Sequence, residues 1–110
     1  MLINLTPHKV TICNENGDVI EEVVPSGNIP RLQEWQTEIG TEDVGLFGYR
    51  VWQVTRGGAE LPEPQDGVFL IVSDMIRTAY PDRMDLLSPA NTVRDDQGRV
   101  IGCTGFFTNL

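Results

Sequence analysis

The sequence predicts an α+β fold that is mainly antiparallel β, a mixed sheet or partly closed barrel with one short helix. Three observations carry that expectation. Short runs of β-branched and aromatic residues recur along the chain between clusters of turn-forming residues. Two of those clusters, Asn14-Glu15-Asn16-Gly17 and Asp95-Asp96-Gln97-Gly98, end in a glycine that can take the positive φ a tight hairpin needs. Only one segment, Asp74 to Tyr80, combines helical spacing with a cap before it and a breaker after it.

The elements follow in chain order. Lys9 to Cys13 reads as a strand, the Asn-Gly cluster turns the chain, and Val19 to Val24 returns it. Pro25-Ser26-Gly27 breaks the pattern. Ile29 to Ile39 alternates, with Ile29, Arg31, Gln33, Trp35 and Thr37 on one side, and reads as a strand. Gly40 to Gly48 is loop. Tyr49 to Thr55 is the next strand, with Tyr49, Val51 and Thr55 on one face and Trp52 and Val54 on the other. Arg56-Gly57-Gly58 and the stretch from Leu61 to Gly67, with Pro62 and Pro64, make an extended connection without helix-forming potential.

Val68 to Val72 is the one continuous apolar run and suits a central strand covered on both faces. Ser73 caps the helix that follows, Asp74 suits its positive end, and Pro81 stops it. Met84 to Leu87 forms a short strand. Thr92 to Arg94 and Arg99 to Gly105 form the last hairpin. The two hairpins align residue for residue, Thr11 to Ile20 against Thr92 to Ile101, and shared turn chemistry explains that match more simply than duplication.

At 110 residues the chain has the size of one domain, residues 1–110, and can bury a core without a disulfide or metal. No apolar run approaches the ~20 residues of a membrane span, and the first residues lack a secretory signal pattern, so cytoplasm is the expected compartment. Net charge is −8, which argues against DNA or RNA as a partner and against anionic membrane surfaces. A small anion in a local basic pocket stays compatible with that charge. The basic residues are seven Arg and one Lys, and Arg offers the planar fork that matches carboxylate or phosphate. Cys13 and Cys103 lack metal-ligand spacing and read as buried free thiols, so no metal and no cofactor are expected.

The candidate ligand site is the strand–helix junction after Val72. Ser73 and Arg77 lie four apart on one helical face, and Arg83 follows just beyond the helix. Together they suit a phosphate or carboxylate. The structural alternative is that Ser73 only caps, Arg77 pairs with Asp74 and Arg83 pairs with a neighbouring Asp. Arg94 joins the ligand set from the last hairpin, where Asp95 and Asp96 offer it a purely structural partner. His8 is the lone histidine, and three roles stay open for it: a turn residue, a ligand contact, or a general base. No nucleophile elbow, phosphate loop or dinucleotide fingerprint is present, which lowers the enzyme expectation and leaves no catalytic residue assigned.

The opening Asn4-Leu5-Thr6-Pro7-His8, the stretch from Leu61 to Ser73, and the tail from Arg83 to Pro89 and from Val93 to Cys103 together resemble a group of small phage and bacterial proteins that open with Asn-Leu-Thr-Pro-His. The resemblance implies a phage or prophage origin and no established chemistry; Thr6 and His8 of this opening belong to the expected ligand-binding set. In size and Arg-rich basic set the chain is similar to phage anti-defence proteins that act as sponges. Such a protein would hold a nucleotide-derived immune signal, a cyclic nucleotide or an ADP-ribose derivative, without cleaving it. The expected partner is that small anionic ligand, in a pocket completed across a homo-oligomer interface. The alternative partner is a host protein, bound by an acidic face with Trp35 or Trp52 as anchors. A small His-dependent enzyme is the third class.

Overall fold

The computed structural model describes the backbone of residues 1–110 and every side chain except those of Asp43 and Val44. Eight strands form: β1 (Leu2–Asn4), β2 (Val10–Cys13), β3 (Val19–Val23), β4 (Gln33–Ile39), β5 (Val51–Gly57), β6 (Phe69–Ile71), β7 (Leu86–Arg94) and β8 (Val100–Thr108). One α-helix, α1 (Asp74–Ala79), stands between β6 and β7. Six strands make one sheet in the order β1-β6-β7-β8-β2-β3, while β4 and β5 pair only with each other. The expected fold class is the one found: a mixed, nearly closed, barrel-like sheet in which most paired positions are antiparallel, with a single short helix.

Closure has a residue-level cause. β1 and β3 are the two ends of the sheet, and they meet through Asn4. Asn4 bridges to Pro25, its carbonyl accepts from the Ser26 amide at 2.9 Å, and its side-chain Nδ2 donates to the Val23 carbonyl at 2.9 Å. The same Nδ2 donates to the His8 carbonyl at 2.8 Å, and Oδ1 accepts from the Thr6 amide at 2.9 Å. Asn4 is buried, so a seam held this way costs no unpaired polar atom.

β6 carries the core. Leu70 and Val72 face Leu5, Ile76 and Leu86, the layer under α1, while Ile71 faces Val10 and Cys103 inside the barrel. That two-sided burial is what a continuous apolar run provides. At the opposite wall β2 lies against β8, bridged at Ile12 and Cys103. Gly102 permits the approach: a Cβ there would sit 2.9 Å from both Cys13 Sγ and the Thr11 carbonyl oxygen. Burial pushes the Cys103 thiol up from its ordinary value.

Both hairpin turns have one geometry. The side-chain oxygen of Asn14 accepts from the amides of Asn16 and Asp18, and that of Asp95 accepts from those of Gln97 and Arg99, every distance 2.9 Å. Gly17 and Gly98 take φ of 85° and 79°. The sequence alignment of the two hairpins is therefore matched by the turn chemistry it was attributed to.

Some boundaries differ from expectation. The strand expected from Ile29 starts at Gln33, and the loop before β5 contains a 3-10 turn, Thr41–Val44. Ser88 to Asn91 does not interrupt the chain's path, since β7 runs unbroken through Pro89. β6 stops pairing at Leu87, so beyond it β7 has an open side where a missing amide proton breaks no ladder.

β4 and β5 form an arm. Nearly all of their residues are exposed, and the chain's radius of gyration is 17.8 Å, against about 13 Å for a compact chain of this length. Trp35, Thr37 and Ile39 share one face with Val51, Gln53 and Thr55. The other face carries Glu34, Gln36 and Glu38 opposite Arg56, Val54 and Trp52. Ion pairs Glu34–Arg56 (3.1 Å) and Glu38–Arg50 (2.6 Å) cross it, and the Arg50 guanidinium lies 5.0 Å from the Trp52 ring. Among the described residues no helix is long and apolar enough to cross a membrane.

Candidate functional site

The junction after β6 is built as expected and is closed by its own residues. Ser73 Oγ accepts from the Ile76 amide, which makes it the helix cap. Arg77 is mostly buried. Its Nε donates to Ser88 Oγ at 2.8 Å and its Nη1 to Asn109 Oδ1 at 3.1 Å. Ser88 in turn donates to Asp74 Oδ1 at 2.5 Å, which brings that carboxylate within 3.9 Å of the Arg77 guanidinium. The guanidinium also lies 5.6 Å from the Phe107 ring.

Arg83 grips Asp85 with both arms of its fork, at 2.9 and 2.8 Å, and donates to the Pro62 carbonyl at 2.7 Å. The Arg83 hydrogen bond holds the Asp85 carboxyl below the usual carboxylate range, and the same bond raises Arg83. Asn109 Nδ2 sits 3.0–3.1 Å from the carbonyls of Arg77, Tyr80 and Arg83, so the chain terminus fastens the end of α1 and the turn after it.

Arg77 and Arg83 thus share the Asn109 amide at their backbones, but their guanidiniums serve different partners. Arg94 lies elsewhere, exposed at the last hairpin, and donates to the Gly98 carbonyl at 2.8 Å. His8 and Thr6 are at the barrel seam. The Thr6 hydroxyl lies 2.6 Å from Asn4 Oδ1 and 2.9 Å from the His8 carbonyl, while the His8 side chain is exposed. The structure does not gather Ser73, Arg77, Arg83, Arg94, His8 and Thr6 around one cavity. Among the described residues every buried side-chain nitrogen and oxygen has a hydrogen-bond partner.

A cleft of about 580 Å³ lies at the base of the arm, where its two legs leave the barrel. Leu5, Ile29, Leu61 and Pro62 give it apolar walls, and Arg31, Gln33 and Glu60 give it a polar rim. Its volume falls in the range of small-molecule sites. Arg31 is the one guanidinium among the described residues that donates to no side chain or carbonyl. The other six all hold a carboxylate or a carbonyl. Sequence reasoning placed Arg31 on a strand and assigned it no role. No local signal singles it out: like Arg31, Arg50 and Arg56 have no acid within two residues, yet both are ion-paired across the arm.

A second, smaller cleft of about 240 Å³ separates the arm from α1 and is lined by Arg56, Met75, Thr78 and Ala79. Comparison with protein-family models, with curated proteins and with solved structures finds no match to this chain.

Proposed function

We propose that this chain is a non-catalytic binder of a small anionic, nucleotide-like ligand, held in the cleft at the base of the arm with Arg31 as its anchor. The observation that supports it is the pairing of this cleft with the one guanidinium that, among the described residues, has no acceptor. Arg31 suits a phosphate or carboxylate. The apolar walls suit a flat ring, and Gln33 and Glu60 suit its hydroxyl or amino groups. With the phage-type resemblance, the class of ligand narrows to a nucleotide-derived signal, a cyclic nucleotide or an ADP-ribose derivative, sequestered rather than turned over. The bound anion then relies on Arg31 and not on Arg77 or Arg83, whose charges are already engaged.

A thermal-shift screen against mono-, di- and cyclic nucleotides and ADP-ribose derivatives tests this. A ligand at ~100 times its dissociation constant adds about 2.7 kcal/mol and raises the melting temperature by several degrees. The shift is expected to vanish in Arg31→Ala and persist in Arg94→Ala. A flat screen, or a shift that Arg31→Ala leaves intact, overturns the proposal. One observation favours a second function, docking onto a protein: Trp35 and Trp52 are each 48% exposed on the arm.

A further inference from the structure

The arm leaves two strand edges unpaired, both seven residues long and free of proline. A two-stranded ribbon standing alone in water is marginal, and an open edge is a template for another strand. The exposed groups on it are large: Phe47 and Tyr49 at its tip are 69% and 70% exposed. We propose that the occupant is a second copy of this chain, paired antiparallel through the outer edges of β5, so that two arms form one four-stranded ribbon.

The sequence of the two edges decides which one pairs. Full-length antiparallel self-pairing of β4 is centred on Gln36 and sets Glu34 opposite the partner's Glu38, twice. Like charges directly opposite are destabilising. The same operation on β5 is centred on Val54, which meets the partner's Val54, and sets Trp52 opposite the partner's Arg56, twice. Trp52, Val54 and Arg56 lie on one face of the ribbon, so Arg56 keeps Glu34 and gains an indole.

One concavity agrees with that register. Arg56 forms one wall of the smaller cleft beside α1, with Met75 and Thr78 on the other, and Met75 is exposed. The partner's Trp52, opposite Arg56, falls at the mouth of this cleft. The pairing stands without any ligand.

The test uses the intact chain without ligand. Light scattering on a sizing column at micromolar concentration is expected to give twice the 12.2 kDa of one chain. Val54→Lys, which sets two ammonium groups face to face, is expected to halve that mass while the far-UV dichroism stays unchanged, and Gln36→Lys is expected to leave it. Should Val54→Lys fail to fold, Val54→Cys decides: under mild oxidation it cross-links to itself, and Gln36→Cys does not. A monomeric intact chain, cross-linking at position 36 rather than 54, or an open series of larger assemblies each overturns the proposal. Ligand binding is scored separately by the Arg31→Ala thermal shift, so a lost dimer and a lost ligand site give different signatures.

Discussion

Asn4 ties the two ends of the sheet together. Its one amide joins β1 to the Val23 carbonyl across the seam and to the His8 carbonyl in the following turn, while its oxygen takes the Thr6 amide. Pro7 has no amide proton to place and His8 serves through its backbone, so the Asn-Leu-Thr-Pro-His opening works as a closure device. Asn4→Ala takes this side-chain partner from the Val23 carbonyl and the Thr6 amide, part-buried groups that each cost about 1–3 kcal/mol when unmatched by water, while the His8 carbonyl keeps the Thr6 hydroxyl. A urea titration is expected to show a loss of about 2–4 kcal/mol for Asn4→Ala. The exposed imidazole makes His8→Ala close to neutral in the same titration. A stable Asn4→Ala protein would mean that the seam is held by backbone alone.

At the scale of elements, the turns, the central strand and the helix were legible because each depends on local chemistry. Gly17 and Gly98 supply positive φ, Val68 to Val72 supplies two buried faces, and Ser73 supplies the cap. The continuity of β7 through Pro89 was not, since it depends on where β6 stops pairing. The arm was half legible. Alternation in β5 assigned Trp52 and Val54 to one face correctly, but alternation is the same for a strand packed on a core and for one in solvent. The site divides likewise. The ion partners of Arg77 and Arg83 were foreseeable from neighbouring Asp residues, whereas the cleft near Arg31 is assembled from Leu5 just after β1, the β3–β4 connection, the first residue of β4 and the segment after β5.

The Arg83–Asp85 clasp, which ties the α1–β7 turn to Pro62, yields a pH prediction. Asp85 titrates lower in the folded chain than its ordinary value near 3.9, so the fold gains from its ionisation. That gain is complete above the ordinary value and is lost as pH falls through the depressed one. Asp85→Asn is therefore expected to be less stable than the parent at neutral pH, by about 1–3 kcal/mol for a charge-assisted pair. The gap should close as the solution is acidified below the ordinary Asp range. Urea midpoints on both sides of that range check it, and a gap that widens in acid would reverse the assignment.

For the whole molecule, the division between barrel and arm separates folding from association. Neither core cluster contains a residue of β4 or β5; Leu32 and Leu61 pack on the core from just outside the arm's two ends. Gln33 and Gly57 pair across the base, close enough for a two-residue Asn-Gly turn to join them. Replacing residues 34–56 by that turn is therefore expected to leave a cooperative unfolding transition. The shortened chain should have a radius of gyration in solution of about 12 Å, the value of a compact chain of its length. Self-association should be lost together with the arm, because the only strand edge proposed to pair has gone. X-ray scattering and a denaturant curve on the shortened chain decide the matter. A shortened chain that unfolds would show that the ribbon, despite its exposure, holds the barrel together. A folded one that still dimerises would locate the contact on the barrel itself, with the edge of β3 and its exposed Val19 and Ile20 as the nearest apolar surface.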